Sequence, residues 1–257
     1  MYRGQIQIKS PDDLDQMAAS GRIQARCLQL LASMCEPGVR TKDLDAAAEE
    51  FIRSEGAIPT FKGYRGFPAS ICASPNSMVV HGIPDDTPLE SGDVLSIDAG
   101  VTYGGWVADA AITVAIGEVS DEAEKLMAVT RQSLFDAIEQ AQAGNRLSDI
   151  SHAVQETVEE GGLSVIKSLV GHGVGREMHE DPQIPNFGEP GRGPELEEGM
   201  VFAIEPMVNA GGPGVKLDDD GWSVYSTDGS LAAHFEFTVA VGADGPRILT
   251  PWHEVVE

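Results

Sequence analysis

Long apolar runs are missing from this chain. No stretch of about 18 apolar residues occurs, which excludes a membrane-spanning helix. Residues 1–9 carry Arg3 and Lys9 but no apolar segment, so no secretory leader is expected. Cysteine is also scarce. Cys27, Cys35 and Cys72 form an odd set without a C-x-x-C pair, which argues against a disulfide framework and fits the reducing cytoplasm. Basic residues are few, 17 against 41 acidic ones, and the net charge of −24 repels phosphate backbones, so no nucleic-acid partner is expected. No Pro- or Ser-rich linker interrupts the 257 residues, which read as one domain, 1–257.

What the chain does contain is an internal duplication, with halves of about 11–117 and 121–242. Gly38, Arg40, Asp43, Leu44, Ala47, Glu50, Ile52 and Gly56 recur at a constant offset of 106 as Gly144, Arg146, Asp149, Ile150, Ala153, Glu156, Val158 and Gly162. Each series has a breaker, apolar residues at three- and four-residue spacing, and a glycine, the signature of a capped helix. Residues 89–98 match residues 196–205, and both segments end on an acid, Asp98 and Glu205. Residues 113–117 match 238–242, and His81-Gly82-Ile83 matches His172-Gly173-Val174.

The periodicity predicts helices over 11–35, 42–54, 121–142 and 148–160, each pair followed by strands. The expected fold is α+β, with helices packed on a mostly antiparallel sheet of pseudo-twofold symmetry.

The strands carry the chemistry. Gly104-Gly105 is a hairpin signal. With those glycines as the loop, Tyr103 pairs with Trp106, Asp98 faces Ala111, and Asp109 faces Gly100. Side chains alternate along a strand, so Asp98 and Asp109 share one face. Glu205 repeats Asp98, and Glu236 precedes the second Thr-Val-Ala-Val-Gly block as Asp109 precedes the related first block. A lone acid is ordinarily a solvated surface group, but four brought together by a repeat would repel one another unless protonated or neutralised by cations. An oxygen-rich cluster with an imidazole suits two divalent first-row metals. His172, between Gly171 and Gly173, is placed where glycines allow backbone and metal to approach closely. For His81 and His179 a hydrogen-bonded core histidine is the competing reading.

These motifs resemble those of the type I methionine aminopeptidases, enzymes of the pita-bread fold, from about residue 8 to 250. The stretches that carry the resemblance are Asn76-Ser77-Met78-Val79-Val80-His81-Gly82-Ile83-Pro84, Ile97-Asp98 with Asp109, Gly171-His172-Gly173-Val174-Gly175, Met178-His179-Glu180, Ile204-Glu205-Pro206-Met207-Val208-Asn209 and Phe235-Glu236. The resemblance implies five metal ligands, Asp98, Asp109, His172, Glu205 and Glu236. Asp109 and Glu236 would bridge two divalent cations (Co, Mn, Fe or Zn). It implies His81, His179 and Glu205 as catalytic residues, and Tyr64, Phe67, Cys72, Met178 and Trp222 around a methionine pocket, with Phe61 a further candidate.

The implied reaction is removal of the N-terminal methionine from peptides and nascent chains with a small second residue. A metal-bridged hydroxide would attack the first peptide bond. A cytoplasmic monomer that works beside the ribosome is the matching expectation.

Two positions depart from the family pattern, His234 where glutamine is expected and Met178 where phenylalanine is. Proline-specific peptidases share this fold but usually carry a large N-terminal domain. Non-enzymatic relatives tend to lose ligands, and all five are present here.

Overall fold

The computed structural model describes residues 5–256. Its four α-helices fall close to the predicted spans: α1 Pro11–Met34, α2 Thr41–Ser54, α3 Asp121–Glu139 and α4 Leu147–Glu160. Ser10 caps α1 in a reciprocal box with Asp13, which satisfies two backbone donors at the helix start. The helix α3 ends short of the predicted 142, because the chain turns there to form a bridge between Gln142 and Gly242.

The duplication is visible in backbone detail. Gly38 and Gly144 close equivalent turns at φ +96° and +95°, and Gly56 and Gly162 end α2 and α4 at φ +72° each. In both halves the turn glycine donates to a leucine carbonyl, Gly38 to Leu89 and Gly144 to Leu196. A left-handed φ at these points is open to glycine at little cost.

The strands pair antiparallel throughout the ladders, but they form four separate sheets rather than the single one expected. One is built on the hairpin Val94–Tyr103 and Trp106–Ala115, and a five-stranded sheet carries Val170–Gly173, Val201–Ile204 and Phe237–Ala240. The predicted hairpin register holds along its length, with Tyr103 opposite Trp106, Asp98 opposite Ala111 and Asp109 opposite Gly100.

The two halves meet at a seam where threonines stand in for ladder partners. The Asp109 N–H donates to Thr238 Oγ1 at 3.0 Å, and that hydroxyl donates back to the Asp109 carbonyl at 2.8 Å. Across the axis, the His234 N–H donates to Thr113 Oγ1 at 2.9 Å, and that hydroxyl donates to the His234 carbonyl at 2.8 Å. Between the two threonine pairs the Glu236 N–H donates directly to the Ala111 carbonyl at 2.9 Å, so one backbone bond flanked by side-chain hydroxyls joins the halves here.

The seam corrects one sequence equivalence. The register Val94↔Ala115 of the first half recurs as Val201↔Ala240 in the second. Counted along these registers, Glu205 takes the place of Asp98, as read from the sequence. Glu236 takes the place of Ala111, however, and His234 that of Asp109. The fourth carboxylate is therefore not a copy of Asp109. It stands two residues further along the same strand face.

A continuous apolar core lies between the helices and the sheets, with Leu28, Leu44, Leu95, Phe202 and Phe237 fully buried within it. Among the described residues no helix is long and apolar enough to cross a membrane.

Candidate metal centre

One cleft gathers all five predicted ligands. Asp98, Asp109, His172, Glu205 and Glu236 line it together with His81, His179, Tyr64, Phe67, Met178 and Trp222. Each side chain reaches it for a local reason. Asp98 and Asp109 share a face of the hairpin. His172 lies on the middle of a three-strand run, opposite Ala203 on one side and Gln183 on the other. Glu205 and Glu236 follow and precede paired strands, just past Ile204 and just before Phe237.

The glycines beside His172 let neighbouring strands approach closely. A Cβ on Gly171 would come within 2.4 Å of the Ala203 carbonyl oxygen, and one on Gly173 within 2.2 Å of the Asp181 carbonyl oxygen. A Cβ on Gly171 would also come within 3.3 Å of Glu205 Cγ.

Donor atoms of Asp109, His172 and Glu236 lie within 4.8 Å of one another. His172 Nε2 stands 3.8 Å from Asp109 Oδ2 and 3.6 Å from Glu205 Oε1. His172 Nδ1 is 2.9 Å from the Gly173 carbonyl oxygen, which fixes the proton on Nδ1 and leaves the Nε2 lone pair facing the acids. Asp98 Oδ1, Asp109 Oδ1 and Glu236 Oε1 are buried with no hydrogen-bond partner. Orphaned, converging carboxylate oxygens are what a bound cation satisfies, so the donor set fits divalent metals.

The electrostatics agree. Burial raises Asp98 well above the carboxylate range, and the charges of Asp109 and Glu205 add to it. Burial lifts Asp109 to about 7 against an opposing hydrogen bond from Asp98. Burial likewise raises Glu205 and Glu236 far above their ordinary values, reinforced by Asp109 in both cases. His172 falls to about 4 through burial, which leaves it neutral and able to coordinate.

These shifts set a stability prediction for the metal-free protein. The folded state keeps the Asp109 proton to about pH 7, whereas an unfolded chain loses it near pH 4. Between those values the folded state binds more protons, so its relative stability drops as pH rises. Metal-free Asp109→Asn protein should gain in Tm on metal-free wild type from pH 4 to 7. Calorimetry at stepped pH reads the difference, and a constant difference would remove the Asp109 shift.

The cleft walls are apolar and aromatic. Phe67 and Trp222 meet edge to face at 5.1 Å between centroids, and Met178 is buried beside them. The Tyr64 hydroxyl and His179 Nδ1 are hydrogen-bonded at 2.8 Å, and the His179 ring lies 4.2 Å from that of His172. Burial lowers His179 to about 3, with His172, Arg65 and His81 adding to the effect. His81 adopts φ +61°, an uncommon backbone for a side chain of its size. Its neighbour Gly82 packs against the Ala73 carbonyl, where a Cβ would come within 2.2 Å. The tight chain path holds the histidine at the rim.

Burial raises the Cys72 thiol well above the ordinary range, and the residue stands opposite Asp98 in the sheet, on the same face, packed in one apolar cluster with Phe67, Met178 and Trp222 of the cleft. Phe61, proposed as an addition, does line it. So do Met207, from the quoted motif, and Arg65, Leu169 and Val170, which no sequence signal marked. Arg65 arrives through a left-handed turn at φ +49° that no residue pattern announces.

Residues 15–243 match metallopeptidase family M24. The chain is 52% identical to a methionine aminopeptidase of Clostridium perfringens over 245 residues, covering 95% of this chain and 98% of that one. It is 50% identical to methionine aminopeptidase 1 of Bacillus subtilis, covering 94% and 98% respectively. The crystal structure of the methionine aminopeptidase from Rickettsia prowazekii superposes with a TM-score of 0.95 at 40% identity, covering 96% of this chain and all of that one. A prolidase from Pyrococcus furiosus shares the fold at a TM-score of 0.75 and 22% identity, over 95% of this chain and 65% of the other. The chain belongs to metallopeptidase family M24, and within it to the methionine aminopeptidases.

Proposed function

We propose that this cleft removes the first methionine from peptides and nascent chains whose second residue is small. The observation that carries this is the buried acid and imidazole cluster at the end of an apolar, aromatic-walled cleft. Asp98, Asp109, His172, Glu205 and Glu236 would hold two divalent cations. Bound cations supply Lewis acidity and lower the pKa of a ligated water to about 7.

The chain's own groups do the rest. Glu205 takes the proton of the attacking water and passes it to the departing amine. His179, oriented by the Tyr64 hydroxyl, donates to the oxygen of the scissile carbonyl as negative charge builds there. Phe67, Trp222, Met178 and Tyr64 receive the methionine side chain, whose thioether gains from contact with aromatic rings. A charged first residue would lose its hydration and find no partner there. His81 and His179 flank the far side of the bond and crowd the second residue.

Two predictions follow from these roles. Replacing His179 by alanine should lower kcat/KM about 10²-fold, as loss of one transition-state donor does, with metal content unchanged. Metal analysis beside the rate checks it, and a variant that lost its metals would make His179 a ligand instead. Tripeptides should be cleaved in the order Met-Ala-Ser and Met-Gly-Ser far above Met-Lys-Ser and Met-Phe-Ser, scored by kcat/KM. Preference for Ala-Pro-Ala would transfer the chain to proline-specific chemistry. We place the enzyme in the cytoplasm as a monomer that meets its substrates as they leave the ribosome. The net charge of −24 supports no direct grip on RNA.

A further inference from the structure

His234 is the unexplained member of the centre. It is 2% exposed, and its Nε2 has no hydrogen-bond partner. That nitrogen faces two of the acids, 3.6 Å from Glu205 Oε2 and 3.8 Å from Glu236 Oε2. Both separations exceed a hydrogen bond. They match those between His172 Nε2 and its own acids, 3.6 Å to Glu205 Oε1 and 3.8 Å to Asp109 Oδ2. Two donors that share one ion at about 2.1 Å each stand about 3.0–3.6 Å apart, so a slight contraction brings either imidazole onto a metal.

Glu205 thus lies between two imidazoles, one on each carboxylate oxygen. The seam adds an independent reason. The Thr113 and Thr238 hydroxyls grip His234 and Asp109 through the same pair of hydrogen bonds, so His234 occupies the pseudo-twofold position of a proposed bridging ligand. Glutamine, expected at this place, would offer no imidazole.

Resting on the metallopeptidase reading, we propose that His234 is a further metal ligand, which supplies the centre with a second imidazole nitrogen beside Glu205 and Glu236. The centre then has two nitrogen donors where the family pattern gives one. Imidazole suits zinc, iron, cobalt and nickel, whereas carboxylate and water suit manganese, so the second nitrogen shifts selectivity toward the first group.

The test is metal binding to the full chain, read without peptide. Cobalt(II) is added to the metal-free protein, and the contact-shifted, solvent-exchangeable imidazole N–H resonances are counted by proton NMR. Two are expected in the wild type, one in His234→Gln and one in His172→Gln. Zinc affinity, measured by competition with a chromogenic chelator, should drop at least about 10-fold in His234→Gln. A single exchangeable imidazole signal in the wild type would overturn the proposal whether or not either variant folds. So would a second signal that disappears in His179→Gln or His81→Gln rather than in His234→Gln. Cobalt bound through one imidazole refutes the role of His234 and leaves the metallopeptidase reading standing. Absence of any cobalt binding at the centre refutes both.

Discussion

Exhaustive removal of divalent cations should lower turnover of Met-Ala-Ser by about 10³-fold or more, and added manganese or cobalt should restore it. The reason lies in the burial of Asp98, Asp109, Glu205 and Glu236. Without a cation these groups hold protons well above the carboxylate range, and no water in the cleft becomes a nucleophile near neutral pH. The fold itself should survive. Its main apolar core, with Leu28, Leu95 and Phe202 fully buried, is built from both halves away from the acids. Dialysis against a chelator, metal analysis and far-UV circular dichroism on one sample separate loss of chemistry from loss of structure. Full turnover in verified metal-free protein would refute the mechanism.

Replacing Glu205 by glutamine should reduce kcat by about 10²–10⁴-fold while the protein stays folded. Glutamine keeps the size and one carbonyl oxygen but can neither take a proton nor neutralise a cation. Glu205 Oε1 faces His172 and Oε2 faces His234, so the change also removes the acid shared by both imidazoles. Metal content must accompany the rate. Loss of rate with metals retained assigns proton transfer to Glu205, loss of both assigns it ligation, and near-normal kcat denies it either role.

Much of this centre was legible in the chain because its determinants are local. The glycines at 38, 56, 144 and 162 mark the helix ends, and the apolar spacing between them fixes which face is buried. Gly104 and Gly105 set the hairpin loop at φ +59° and +76°, and the loop sets the register that puts Asp98 and Asp109 on one face.

What escaped is non-local. The equivalence of Asp109 with His234 is fixed by the crossed hydrogen bonds of Thr113 and Thr238, between residues more than 120 apart in sequence. In the second half the strands Val215–Leu217 and Val224–Ser226 intervene before the matching segment, which hides the register. Arg65 reached the cleft through a left-handed turn that only the folded chain displays.

The central claim is that the buried acids and His172 hold the catalytic metals. Anomalous diffraction from crystals of the manganese-loaded protein tests it most directly. The account predicts two strong peaks within coordinating distance of Asp98, Asp109, His172, Glu205 and Glu236, with Asp109 and Glu236 touching both. Peaks confined to the acidic surface, with none at this cluster, would contradict it.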